Sequence, residues 1–193
     1  RVSRRKLVAR LLAEAGPEEL LDQAIAQQSV SERGWAQERA YKCRLLGLKF
    51  VPCWELPEGL KRLDCPLGIF VRGTTQWLKQ PRVGFVGARR ASAESLAWVK
   101  AQASSVAEKG WVVVSGGAVG IDSAAHEGAV SVGGPTVVVL GVAAGKIYPV
   151  AQRLLFEDVL RGGGALVWEH PPNVPTYKSS QVSRNRLIAG LSA

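Results

Sequence analysis

WVVVSGGAVGIDSAAHEGAVSVGGPTVVVLG, residues 111–141, decides the fold class. Two valine-rich runs bracket it, and neither alternates with polar residues. Continuous apolar runs of this length are strands buried on both faces, as in a parallel sheet covered by helices. Between them, IDSAAHEGAVSVGG (residues 121–134) follows a glycine-rich turn and carries small side chains suited to a closely packed helix. Strand, turn, helix and strand in that order form the repeating unit of a parallel sheet.

The pattern extends in both directions. RVGFVGA (82–88) reads as a preceding strand, and SAESLAWVKAQASSVAEKG (92–110) as its helix, with Ser92 as N-cap and Gly110 as its stop. A crossover at 151–161 leads to a further strand, GGALVWE (163–169). Residues 82–193 are therefore a Rossmann-like α/β domain with a mainly parallel sheet. The domain is expected to be incomplete at its C-terminus, because SRNRLIAGLSA (183–193) starts a helix and stops. Upstream, Leu7, Val8, Leu11 and Leu12, then GPEELLDQAIAQ (16–27) and SERGWAQERAYKCRLLGL (31–48), read as short helices. They make residues 1–48 a small helical (SAM-like) domain. Pro52, Pro57 and Pro66 punctuate residues 49–81, a connector with one short strand at GIFVRG (68–73).

At 193 residues and 47% hydrophobic the chain can bury a real core, and no apolar run reaches the roughly 18 residues of a membrane span. RVSRRKLVARLL turns amphipathic at once, unlike a secretory signal. Cys43, Cys53 and Cys65 form no CxxC pair, which speaks against structural zinc and for reduced thiols in the cytosol. The net charge is +9, spread over both halves of the chain, and points to a polyanionic partner.

Two strand-to-helix turns, VGARRAS (86–92) and SGGAVGID (115–122), carry the small residues that let backbone N–H groups approach an anion. In folds of this class such turns meet at the carboxyl edge of the sheet. A dinucleotide is not expected there: Ser115 replaces the first glycine of GxGxxG, and the following strand ends VLGVAAGK without a ribose-binding acid. GxxxxGK[ST] is absent too. Ser115, Asp122 and His126 could be cast as a nucleophilic triad, yet Asp122 and His126 lie one helical turn apart and no GxSxG surrounds Ser115.

VGFVGARRAS, WVVVSGGAVGIDSAAHEGAV, TVVVLGVAAGKIYP, GGALVWEHPP and SRNRLIAGLS, in this order, resemble the DNA-processing protein A (DprA/Smf) family. The resemblance implies a cytoplasmic, non-enzymatic protein without cofactor that binds single-stranded DNA. It would act in natural transformation and recombination, shielding the strand and helping to load a RecA-type recombinase. A single-stranded-DNA-binding protein is a further partner, and family members form homodimers through a part absent from this chain. Motif by motif, Arg89 would contact phosphate, Lys146 would line the same groove, and Arg184, Asn185 and Arg186 would form its basic wall. Ser115, Gly116, Gly117 and Gly120 would supply backbone donors.

The residues themselves leave part of this open. Positions i and i+2 of a helix point apart, so one of Arg184 and Arg186 is expected to be structural. Arg90 is expected to point away from Arg89. Tyr148 and Tyr177 are the candidates for base stacking, with buried packing the expected role of Tyr148. The family usually has arginine at the place of Val119. A competing reading is a nucleotide hydrolase of the phosphoribohydrolase type, but SGGAVGIDSAAHE lacks the threonine and acidic spacing of that motif. A third is a protein-interaction scaffold whose basic charge is incidental.

Overall fold

A computed structural model describes residue 38, residues 40–62 and residues 66–192. Most of the expected N-terminal helices, and Cys65, lie outside these residues. Among the described residues six strands form one sheet: β1 (Lys49–Pro52), β2 (Gly68–Gly73), β3 (Arg82–Gly84), β4 (Val112–Ser115), β5 (Thr136–Ala143) and β6 (Ala165–His170). The spatial order is β1-β2-β6-β5-β4-β3. Strands β3 to β6 are parallel; β2 pairs antiparallel with β6, and β1 antiparallel with β2. The sheet is thus mostly parallel, as the valine runs require.

Residues 49–81, expected as a connector, contribute two strands to this sheet. Val71 pairs with Val167 and is fully buried, so there is no break in the core near residue 80. The preceding helical stretch also reaches the sheet. Leu48 is buried in the same apolar cluster as Val138, Phe156 and Trp168, and Cys43 packs against that cluster.

Among the described residues, besides the helical residues 40–45, the faces are covered by α1 (Glu58–Arg62), α2 (Ala93–Glu108), α3 (Ile121–Ser131), α4 (Arg153–Arg161), α5 (Lys178–Ser183) and α6 (Asn185–Leu191). Register explains which face each takes. Val113 pairs with Thr136 and Ser115 with Val138, so these share one face, while Val114 and Val137 share the other. On the first face lie α2, α3 and α4, with Ala103, Ala125 and Phe156 fully buried. On the second, Leu187 and Leu191 of α6 pack with Leu60 of α1, Trp77 and the remaining valines. Ser92 caps α2 by accepting from the Ser95 amide at 3.2 Å, as its sequence position predicts. Beyond that helix, Gly110 takes φ +79° and turns the chain into β4.

Candidate nucleic-acid interface

The parallel strands end at one edge, and three turns gather there: 85–92 after β3, 116–120 after β4 and 144–149 after β5. The first part of α5–α6 closes the fourth side. Between them lies a cleft of ≈ 470 Å³ lined by residues that include Val86, Arg89, Ala118, Tyr148, Val182 and Asn185. The β3 and β4 turns are locked together. Ile121 N donates to Ala88 O at 3.2 Å, and a Cβ on Gly120, which sits at φ +99°, would run into the Ala88 and Arg89 carbonyls. Only glycine fits at that contact.

Arg89 is exposed, and no hydrogen bond or ion pair among the described residues engages its guanidinium. It borders the cleft and two adjoining depressions, one shared with Gly116, Val119 and Tyr148 and the other with Arg90 and Lys100. Arg90 lines only the depression it shares with Arg89 and Lys100, and not the cleft itself. Lys146 is exposed as well, and its backbone is fixed: the buried Trp168 indole N–H donates to Lys146 O at 2.9 Å. Lys146 is not among the residues lining these depressions, and the apolar rim surrounds Arg89. Val86, Val119, Tyr148 and Val182 are each at least half exposed. Tyr148 is thus a rim residue at 51% exposure, not a packed one.

Beneath the rim the arrangement is different. Arg184 is buried, and its Nη1 donates to the carbonyls of Gly116 and Val139. Its Nε donates to Asn185 Oδ1 at 3.2 Å, and Nη2 lies 3.8 Å from Asp122 Oδ2. A Cβ on Gly116 would overlap the guanidinium, so this glycine is needed for the arginine to lie where it does. The second arginine of the pair, Arg186, is half-buried and donates to Glu169 at 2.6 Å. Both are engaged by the protein's own acceptors, where one was expected to be.

The expected backbone donors are largely engaged from inside as well. Asp122 accepts from Ala118 N at 3.3 Å, and Gly120 N donates to Ser123 Oγ at 3.2 Å. Burial raises the Asp122 pKa; the N–H groups of Ala118, Gly116 and Gly87, together with Arg184, pull it back toward ionisation. Burial likewise lowers the Arg184 pKa, with Asp122 opposing and Arg89 adding to the decrease. Ser115 is buried and its hydroxyl donates to Phe85 O at 2.7 Å, so its side chain supports the β3 end and does not face the cleft. A Cβ on Gly117, which takes φ +70°, would run into the side chains of Val138 and Phe156.

No triad forms. His126 is fully buried, with Nδ1 2.8 Å from Thr136 Oγ1, whose proton goes to Val113 O at 2.7 Å. Nδ1 must then be the donor, leaving Nε2 unprotonated. Burial first and Arg184 second push its pKa down to about 3. Sequence reasoning reached Asp122 only as a triad member and missed its contacts with the glycine-turn amide of Ala118 and with Arg184. The available signal was an acid in the first turn of a helix after a glycine loop, where exposed N–H groups attract it.

A family model described as DNA recombination-mediator protein A matches residues 53–193. Protein Smf of Escherichia coli is 36% identical over 136 residues, covering 70% of this chain and 36% of that protein. DNA processing protein DprA of Streptococcus pneumoniae is 36% identical over 138 residues, covering 72% of this chain and 47% of that one. The chain thus spans half or less of these relatives. Among solved structures, DNA processing protein A of Helicobacter pylori, described for its single-stranded DNA binding mode, superposes with a TM-score of 0.67 at 28% identity. That match covers 75% of this chain and 66% of the other. The Streptococcus pneumoniae DprA structure also gives 0.67, at 32% identity, over 75% of this chain and 51% of that one.

Proposed function

The chain belongs to the DNA recombination-mediator protein A family, and from that premise we propose that it binds single-stranded DNA at the carboxyl edge of its sheet. The observation that carries this reading is Arg89: an exposed, unpartnered guanidinium in a cleft rimmed by exposed valines and a tyrosine. A cation meets a phosphate, and an apolar rim offers surface to unstacked bases. A duplex hides its base faces and would use only the charge. The H. pylori relative's single-stranded DNA binding mode supports the same ligand class.

Arg89 and Lys146 would be the phosphate contacts, and Asn185 a polar contact on the exposed wall. Arg186 would face the strand only in company with Glu169. Ser115, Gly116, Gly117 and Gly120 would shape the turns, with few amides free to donate outward. The activity is binding without catalysis: the serine and histidine that could have done chemistry are buried and committed to structural hydrogen bonds. Protection of strands in transformation and recombination, the loading of a RecA-type recombinase, contact with a single-stranded-DNA-binding protein and a cytoplasmic location follow from the family, and each is proposed on that basis.

Fluorescence anisotropy with labelled single strands, duplexes and free nucleotides tests the reading. Single strands should bind best, with log K falling by about 0.7 per log unit of salt for each phosphate neutralised. Equal or stronger binding to duplex, or an affinity flat in salt, would overturn it.

A further inference from the structure

We propose that Asp122 and Arg184 are positioning residues of the cleft: Asp122 acts as an internal anion around which the glycine turns close, and Arg184 ties that assembly to the α5–α6 wall. The inference rests on the proposed DNA-binding reading and names what holds its site in shape. Three observations carry it. Asp122 is buried beneath the cleft and accepts from Ala118 N at 3.3 Å, with the Gly116 and Gly87 amides also directed to it. These amides belong to the β3 and β4 turns, so one carboxylate fastens both. Arg184 reaches the same carboxylate, and also the carbonyls of Gly116 in the β4 turn and Val139 in β5. Finally, Gly116 has no room for a Cβ because the guanidinium lies against it.

The chemistry follows from this geometry. Free N–H groups at a helix start are an anion site, and phosphate would ordinarily fill it. Here the protein's own carboxylate does so. The strand is then left to the exposed side chains above, whose spacing depends on how the turns are held. Removing the internal anion leaves a buried guanidinium without its counter-charge and several donors aimed at nothing, and the turns must rearrange. Affinity should therefore fall although the site becomes more positive.

That sign is the test. Asp122→Asn removes one negative charge next to a polyanion site; a purely electrostatic role predicts tighter binding, whereas positioning predicts single-strand affinity about tenfold weaker, the loss expected from a charged hydrogen bond. The salt slope should stay at the wild-type value, because no phosphate contact is lost. Arg184→Lys keeps the charge and loses the fork, and it should weaken binding with the slope unchanged. Arg184→Gln should do the same. Wild-type or tighter binding by Asp122→Asn, or a slope reduced by about 0.7 in Arg184→Gln, overturns the proposal. Should Asp122→Asn fail to melt cooperatively, Arg184→Lys carries the test alone. Amide exchange on the free protein separates this inference from the DNA-binding reading. Residues 116–120 should exchange faster in Asp122→Asn and Arg184→Lys whether or not the wild type binds DNA, and unchanged exchange in both overturns the positioning role.

Discussion

The rim and the floor of the cleft use the same residue type in opposite ways. Arg89 stands exposed at the rim with its donors free. Arg184 lies at the floor, its donors taken by two carbonyls and Asn185, with Asp122 alongside. A guanidinium that must capture a moving phosphate needs solvent access and unused hydrogen-bonding capacity. One that holds loops together needs burial and fixed acceptors. Charge counted along the sequence does not separate them; the number of acceptors within reach does.

The sharpest way to break this comparison is to truncate both. Arg184→Ala should destabilise the fold by about 3–5 kcal/mol, the cost of leaving a buried partner charge unpaired. Denaturant unfolding measures it. Arg89→Ala should shift the midpoint hardly at all, because its side chain supports no packed neighbour. Equal midpoints for the two variants would erase the distinction between floor and rim.

A second, smaller effect belongs to the floor alone. His126 has a folded-state pKa depressed to about 3, against 6.5 for an exposed imidazole. The folded state therefore binds fewer protons. Stability from the neutral histidine is complete above pH 6.5 and declines as pH falls toward 3. The slope approaches about 1.4 kcal/mol per pH unit for one proton, or on the order of 2 kcal/mol from pH 6.5 to 5. Asp122 acts in the other direction: its raised pKa means that protonation on acidification relieves part of its burial cost. Arg184 is the fixed positive charge facing both groups. Unfolding measured from pH 7.5 to 5 should show the decline, and His126→Asn should flatten it. A wild type equally stable across that range would mean the histidine is not buried neutral.

Much of the fold was legible because its signals are local. Valine runs, the Ser92 cap and the Gly110 stop each sit within one element. Strand β1 was missed because KFVP is short and its pairing with β2 is a property of distant residues. RVGFVGA yields only three strand residues because β3 is an edge with one partner, although Phe85 N still donates to Val114 O at 2.9 Å. At the site, the exposure of Arg89 accords with its place in the turn after β3, at the carboxyl edge of the sheet. The burial of Arg184 was not legible, since its carbonyl partners lie 68 and 45 residues away in sequence. Close spacing in SRNR gave the charge and concealed which partners it had.

On the rim, Arg89→Ala should weaken single-strand binding by roughly 1.5–3 kcal/mol, the range for hydrogen bonds to charged groups. The salt slope should fall by about 0.7, the share of one phosphate. Lost affinity with an unchanged slope would transfer Arg89 to the same class as Arg184. Because Arg90 shares a depression with it, Arg90→Ala is expected to lower affinity as well, by less.

The smallest effect runs in the favourable direction. Val119 is half exposed and borders both depressions that Arg89 lines on either side of the β4 turn. A side chain there projects toward the proposed path of the strand without disturbing Asp122 or Arg184 beneath. Val119→Arg adds a charge at the rim and removes a small apolar surface. An exposed ion pair contributes about 0.2–1 kcal/mol, so single-strand affinity should rise a few-fold at low salt. The salt slope should steepen by about 0.7 if the new side chain reaches a phosphate. As salt screens the added charge, the gain should shrink and the variant should converge on the wild type. A loss of affinity at low salt would mean that Val119 contributes through contact with a base, and that at this position the rim binds by apolar surface more than by charge.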